Sequence, residues 1–185
     1  MQQVDLAAYN NSWYKPGNAL KRFCWYFVNG VFFKTSFFPF SGLKVFLLKL
    51  FGAKIGKAVL IKPNVNIKYP WYLQIGNHVW IGEAVWIDNL AMVSIGDHVC
   101  ISQGAFLLCG NHNFKKATFD LIVKPIIIEA GVWLGAKTIV MGGVSCKSHA
   151  VLTVASVASN DLEAYFIYSG NPAIKIKERT IFNEN

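Results

Sequence analysis

Aliphatic residues recur along this chain on a six-residue beat. Ile55, Ile61 and Ile67 begin it, Ile75, Ile81 and Ile87 repeat it, and Ile95, Ile101 and Leu107 repeat it again. The phrases IGKAV, IGNHV and IGDHV, starting at Ile55, Ile75 and Ile95, lie 20 residues apart, so each early period holds three hexads and a two-residue insertion. After a gap the beat returns at Ile128, Leu134, Val140, Cys146, Leu152 and Ala158. A period of six matches neither the helical 3.6 nor the alternation of a plain strand. It fits a chain that turns a corner every hexad, with one short strand and one turn each and three hexads per triangular coil. Coils of this kind stack at about 4.8 Å, as parallel strands do, with the aliphatic residue inside. Glycines at 56, 76, 82, 96 and 135 suit the corners. The pattern predicts an all-β, parallel β-helical solenoid over residues 55–169.

The beat stops between Cys109 and Ile126, in CGNHNFKKATFDLIVKP. A coil wall has no room for about fifteen extra residues, so 109–126 is predicted to bulge outward as a loop. Long loops on a rigid scaffold are commonly functional, and His112 stands at the root of this one.

Ahead of the solenoid, residues 1–54 read as an arm. Aromatic residues, among them Trp13, Tyr14, Phe23, Trp25, Phe27, Phe37 and Phe46, interleave there with Lys15, Lys21, Arg22, Lys34, Lys44 and Lys49. A solenoid needs its open end covered, and helices of this arm would cap the first coil. Aromatics flanked by cations also suit the headgroup zone of a membrane, which makes a peripheral contact the second expectation for the arm.

A hydrophobic share of 54% against 15% charged residues excludes a disordered chain, and 185 residues suffice for one folded unit with an appendage. The apolar run FCWYFVNGVFF is shorter than the roughly 20 residues of a membrane-spanning helix. Asp5 and the lack of a small-x-small cleavage pattern argue against a leader, so the expected location is the cytoplasm, with the arm at the inner membrane face. Cys24, Cys100, Cys109 and Cys146 show no CxxC or metal spacing and are expected to be buried free thiols. The net charge of +8 points to an anionic partner; nothing beyond charge supports nucleic acid.

The beat, with IGNHVWIG, IGDHVCIS, VWLGAKTIV and the closing GNPAIKIKER, resembles the hexapeptide-repeat acyltransferases, whose fold is a left-handed parallel β-helix. The resemblance runs from about residue 45 to the C-terminus. More narrowly, LLKLFGAKIGKAVLI, YPWYLQIGNHVWIGEAVWIDNLAMVSIGDHVCISQGA and NFKKATFDLIVKPIII are similar to exopolysaccharide O-acetyltransferases of the colanic acid type, close to the maltose and nodulation-factor acetyltransferases. The resemblance implies transfer of an acetyl group from acetyl-coenzyme A to a hydroxyl of a sugar or exopolysaccharide precursor. It also implies a homotrimer with sites shared between subunits, and no metal.

Such a transfer needs a base for the attacking hydroxyl, and an imidazole of ordinary pKa near 6.5 suits that at neutral pH. By resemblance His112 takes the base's place at the start of the interrupting loop, and Asp120 that of the carboxylate orienting it. Asp88 and Asn89, roughly one coil earlier, are the expected acceptor contacts. For coenzyme A the resemblance points to Trp133, Gly135 and Ala136, where small residues would let the pantetheine run along the backbone. It points also to Ser159 and Asn160, and to a tail, residues 170–185, in which Lys175, Lys177 or Arg179 would meet phosphate.

Other readings compete. A metal-dependent hydratase on this fold needs converging histidines with an HxxxxH pair, which the chain lacks. Transfer to an amino sugar or another small acceptor would leave similar residues, and a noncatalytic scaffold would have the coils without His112. His78 and His98, at equivalent places in successive coils, are expected to stack on an outer corner. Cys109 is a weak candidate nucleophile, because its spacing from His112 points the two side chains apart.

Overall fold

The computed structural model describes residues 3–182; residues 1–2 and 183–185, at the ends of the expected arm and tail, lie outside it. From Lys54 to Gly170 the chain winds through three parallel sheets. The first face stacks Lys54–Ile55, Leu73–Ile75, Val93–Ile95, Ile126–Ile128 and Ser145–Cys146. The second begins at Leu60–Ile61 and runs through Trp80–Ile81, Cys100–Ile101, Trp133–Leu134 and Val151–Leu152 to Phe166–Gly170. The third holds Asn66–Ile67, Trp86–Asp88, Phe106–Leu108, Ile139–Met141 and Val157–Ala158.

The hexad beat is the register of this ladder. Ile61 pairs with Ile81, Ile81 with Ile101, Ile101 with Leu134 and Leu134 with Leu152, and all five are at most 1% exposed. Of the predicted inward positions, Ile55 alone is only partly buried, since it sits in the first rung. Each fully buried aliphatic side chain contributes roughly 1.5–3 kcal/mol, which is how strands of two or three residues hold together.

Every departure from the hexad falls at one corner, between the third face and the first. There the successive coils carry residues 68–72, 89–92, 109–125 and 142–144. The coil step accordingly changes: Ile75 pairs with Ile95, 20 positions on, Ile95 with Ile128, 33 on, and Ile128 with Cys146, 18 on. The predicted loop is thus an enlargement of a corner already enlarged in the two coils before it. It folds as a hairpin, Gly110–His112 antiparallel to Leu121–Val123.

The arm forms two helices, α1 (Ala19–Val28), which runs on into a π-helical turn (Asn29–Phe33), and α2 (Ser41–Leu50). Asn18 caps α1, its Oδ1 accepting from the Leu20 and Lys21 amides. Gly52, at φ +99, ends α2 in the left-handed conformation that lets Ala53 N–H return to the Leu48 carbonyl. Trp25, Phe33 and Leu48 are buried in the same core as Ile61, Val65 and Ile67. Polar groups tie down the edge of the first coil: Trp25 Nε1 donates to the Ile67 carbonyl, Ser41 Oγ accepts from Ile61 N–H, and the buried Lys44 Nζ donates to the Lys62 carbonyl at 2.8 Å. At the far end, Ala173–Glu178 pairs antiparallel with Phe166–Gly170.

One expectation needs adjustment. Cys24 is exposed on α1, not buried; Cys109 and Cys146 are buried and Cys100 is partly so. His78 and His98 stack as expected, at 5.0 Å and 6°, and His149 stacks on Tyr165. No helix among the described residues is long and apolar enough to cross a membrane.

Candidate active site

His112 ends the first strand of the hairpin, and the turn that leads into the second strand brings Phe119 over it. His112 Nδ1 lies 2.9 Å from the Phe119 carbonyl oxygen. A carbonyl only accepts, so Nδ1 carries the proton and the neutral ring keeps its lone pair on Nε2, the tautomer a general base requires. The Phe119 ring stacks on the imidazole at 4.5 Å and 8°. Phe119 achieves both contacts with φ at +50, an uncommon conformation for a bulky residue, of the kind that clusters at functional sites.

Asp120 does not fill the expected role. Its carboxylate accepts from Lys116 Nζ at 2.8 Å and Thr118 Oγ1 at 2.6 Å, and these hydrogen bonds hold it below the usual carboxylate range. It braces the loop tip, while a backbone carbonyl one residue earlier orients the imidazole.

His112 borders a cleft of about 900 Å³. Its floor is the enlarged corner, where Lys68, Asp88 and Leu108 follow one another in successive coils. Gly110 lets the hairpin pass close over that floor, since a Cβ there would come within 2.5 Å of Leu90 Cδ1. Asp88 is 7% exposed, and Lys68 Nζ pairs with its Oδ1 at 2.9 Å.

The opposite wall is the start of the arm, which sequence reasoning assigned to capping and membrane contact alone. Tyr9, Asn11, Tyr14 and Lys15 line the cleft. The Tyr9 ring stands 5.7 Å from that of His112, and Tyr14 Oη donates to the Leu90 carbonyl at 2.6 Å. Burial, reinforced by Tyr69, Tyr72 and Asp88, raises the Tyr14 phenol well above its ordinary range and keeps it a neutral donor. The segment is anchored further by Asp5 N–H on the Ala117 carbonyl and by Trp71 Nε1 on the Pro16 carbonyl. The available signal was that residues 9–18 are richer in Tyr, Asn and Ser than the apolar stretch after them.

Asn89 is not an acceptor contact in this geometry. It is fully buried, its amide donating to the Tyr69 and Tyr72 carbonyls and accepting from Tyr69 N–H, so it pins the corner under Tyr69, which does line the cleft. Cys109 is buried and its thiol is pushed up to about 11 by burial, which opposes thiolate chemistry. Among the described residues no group of three or more His, Cys, Asp or Glu is placed to hold a metal ion.

The residues expected to meet coenzyme A lie on the later coils, and none of them lines the cleft with His112. Trp133 is 47% exposed and donates through Nε1 to Ser102 Oγ. Ala136 is partly exposed, and Ser159 and Asn160 are exposed. Gly135 is different: a Cβ there would stand 2.8 Å from Val154 N and 2.9 Å from the Leu152 carbonyl, so its smallness serves coil packing. Lys175 is paired with Glu163 and sits over the Phe166 ring, and Arg179 Nη1 donates to the Gly131 and His149 carbonyls. Exposed Lys177 has no ion-pair partner among the described residues, which leaves it the freest tail cation for a phosphate.

No protein-family model matches the chain. WcaF of Escherichia coli K12, named as a colanic acid biosynthesis acetyltransferase, is 37% identical over 166 residues, covering 90% of this chain and 91% of that protein. A maltose O-acetyltransferase from Clostridium difficile 630 superposes with a TM-score of 0.74 at 19% identity, over 89% of this chain and 90% of its own. A hexapeptide-repeat acetyltransferase from Vibrio cholerae O1 biovar eltor, solved with acetyl-coenzyme A, gives 0.71 at 23% identity, over 76% of this chain and 78% of its own. The two structural likenesses bear on fold, which is the left-handed parallel β-helix. The sequence likeness goes further, because it holds at 37% identity over nine-tenths of both chains: the chain belongs to the hexapeptide-repeat acyltransferase family.

Proposed function

We propose that this protein is an acetyl-coenzyme A-dependent O-acetyltransferase acting on a hydroxyl of a sugar or exopolysaccharide precursor, with His112 as general base. The observation that carries the reading is the Phe119 carbonyl at Nδ1, which leaves the Nε2 lone pair on a histidine at the edge of a polar cleft. In the reaction the acceptor hydroxyl loses its proton to Nε2 as its oxygen bonds to the thioester carbonyl carbon. The carbon–sulfur bond then breaks, and the imidazolium returns the proton to the leaving sulfur. Acetyl-coenzyme A supplies the activated acyl group. Asp88 and Lys68 would hold acceptor hydroxyls, and Trp133, Ala136, Ser159, Asn160 and Lys177 would receive the donor.

We further propose a homotrimer. Donor and acceptor residues stand apart within one chain, and a neighbouring copy would bring the two sets together. Light scattering should return three times the mass of the chain; a monomer that turns over at full rate would end this reading.

The arm carries two exposed apolar stripes, Leu20, Phe23 and Phe27 on α1 and Leu43, Phe46 and Leu50 on α2, flanked by Lys15, Lys21, Lys34 and Lys49. These support a peripheral contact with the inner face of a membrane. Co-sedimentation of the full-length protein with anionic vesicles, weakened by Phe23→Ser together with Phe46→Ser, is expected; no sedimentation with vesicles would leave the arm with its part in the fold alone.

Acetyl transfer itself is tested by turnover of acetyl-coenzyme A over a panel of sugars and sugar nucleotides. His112→Ala should lower the rate on the best acceptor by roughly 10²–10⁴. A variant that retained full turnover would refute the assignment.

A further inference from the structure

Beside the acceptor cleft a second hollow of about 330 Å³ opens between the arm and the third face of the solenoid. Arg22, Lys68, Tyr69 and Asp88 border both, so the two adjoin across these side chains. The second hollow is strongly cationic. Arg22, Lys34 and Lys68 line it, and Asp88 is the one carboxylate on its wall among the described residues. Lys68 is paired with Asp88, while Arg22 and Lys34 are exposed and have no ion-pair partner among the described residues.

One buried acceptor on the same wall also lacks a donor. Asn29, 9% exposed, gives its Nδ2 to Asn66 Oδ1 but leaves its own Oδ1 without a partner among the described residues. A buried acceptor left unmade costs roughly 1–3 kcal/mol, so it calls for a donor from outside the chain, such as a sugar hydroxyl. Trp86 adds an aromatic face that is 44% exposed and backed by Phe106 in a 4.6 Å stack, a firm platform for a pyranose ring.

We infer that this hollow binds a phosphate or diphosphate on the acceptor, so that the substrate is a phosphorylated glycosyl carrier rather than a free sugar. Arg22 and Lys34 take the anion, the guanidinium by its paired N–H groups. Asn29 and Trp86 hold a sugar beside it, and the glycan reaches His112 past Asp88. The inference rests on the acetyl-transfer reading of the cleft. Its source is a nucleoside diphosphate or a lipid diphosphate, since both present the same anion.

The test has a binding arm and a turnover arm. In the first, inorganic pyrophosphate and coenzyme A are titrated separately into the wild type and into Arg22→Gln/Lys34→Gln, with a thermal melt as the folding control. Pyrophosphate affinity should fall by roughly tenfold or more, as expected for losing two charged donors, while coenzyme A affinity is kept. Unchanged pyrophosphate binding would overturn the subsite; loss of coenzyme A binding would reassign it to the donor.

In the second arm one accepted sugar is supplied free, as its 1-phosphate, as a uridine diphosphate conjugate and as a short-chain prenyl diphosphate. The wild type should prefer the phosphorylated forms in kcat/KM, and the double variant should bring that ratio towards one. Preference between the two diphosphates identifies the carrier, and equal use of all four forms by the wild type defeats the inference. If the wild type acetylates nothing, the transfer reading falls, and the pyrophosphate titration still decides the subsite.

Discussion

Phe119 grips His112 twice, by its carbonyl oxygen 2.9 Å from Nδ1 and by its ring lying parallel to the imidazole 4.5 Å away. The two contacts separate cleanly by mutation, because one belongs to the backbone and the other to the side chain. Phe119→Ala keeps the carbonyl and removes the stack, an interaction worth about 0.5–1.5 kcal/mol. The expected result is a loss in kcat of up to roughly tenfold with little change in acceptor KM. Asp120→Asn should leave kcat within about twofold, because that carboxylate serves Lys116 and Thr118. Steady-state kinetics of the two variants checks both statements, and a large loss of kcat in Asp120→Asn would restore it as the orienting group.

Neighbours Asp88 and Asn89 should separate into a binding defect and a folding defect. Asp88→Ala removes a polar group from the cleft and leaves Lys68 unpaired; acceptor KM should rise and kcat/KM should fall roughly tenfold or more, with thermal stability nearly kept. Asn89→Ala breaks three hydrogen bonds to Tyr69 and Tyr72 in the interior. A cost of roughly 2–3 kcal/mol follows, which for a chain of this length lowers Tm by about 5–10 °C. Thermal unfolding beside kinetics tells the two apart.

Alkylation should reach the cysteines in order of exposure and thiolate character. Cys24 is exposed on α1, whereas Cys109 is buried with its thiol pushed up to about 11. Iodoacetamide at neutral pH should label Cys24 first and spare Cys109 in the folded protein, as peptide mass spectrometry would read. Cys109→Ala should retain turnover; its loss without a loss of fold would revive the thiol as a nucleophile.

Lys44 ties part of the stability to alkaline pH. Burial lowers its ammonium below the ordinary 10.5, so the unfolded chain holds that proton more tightly than the folded one. The resulting penalty is fully present below the folded value and is relieved as pH rises from there towards 10.5. Lys44→Met lacks this dependence and keeps similar bulk against the first coil. Its Tm relative to the wild type should therefore be highest near neutrality and fall as pH approaches about 10; a constant difference in melts across that range would contradict the effect.

The solenoid was legible because its cause is local and repeated. An aliphatic residue every six positions can be buried only if the chain turns at the same interval, and each rung restates the condition, so Ile61, Ile81, Ile101, Leu134 and Leu152 announce their own register. The same repetition made its interruption visible and put His112 at the loop root. What the periodicity could not convey is everything made by single contacts between distant segments. Tyr14 reaches Leu90 across 76 positions and Tyr72 reaches Lys15 across 57, and from these the arm becomes a wall of the cleft. The partner of His112 is a backbone carbonyl, a group every residue carries, so no choice of side chain could mark it in advance. Gly135 reads as room for a ligand until the next coil is in place and fills that room with Val154 and Leu152. Periodic burial determined the fold from the chain alone; the cleft had to wait for the tertiary structure, because its contacts occur once each and carry no period.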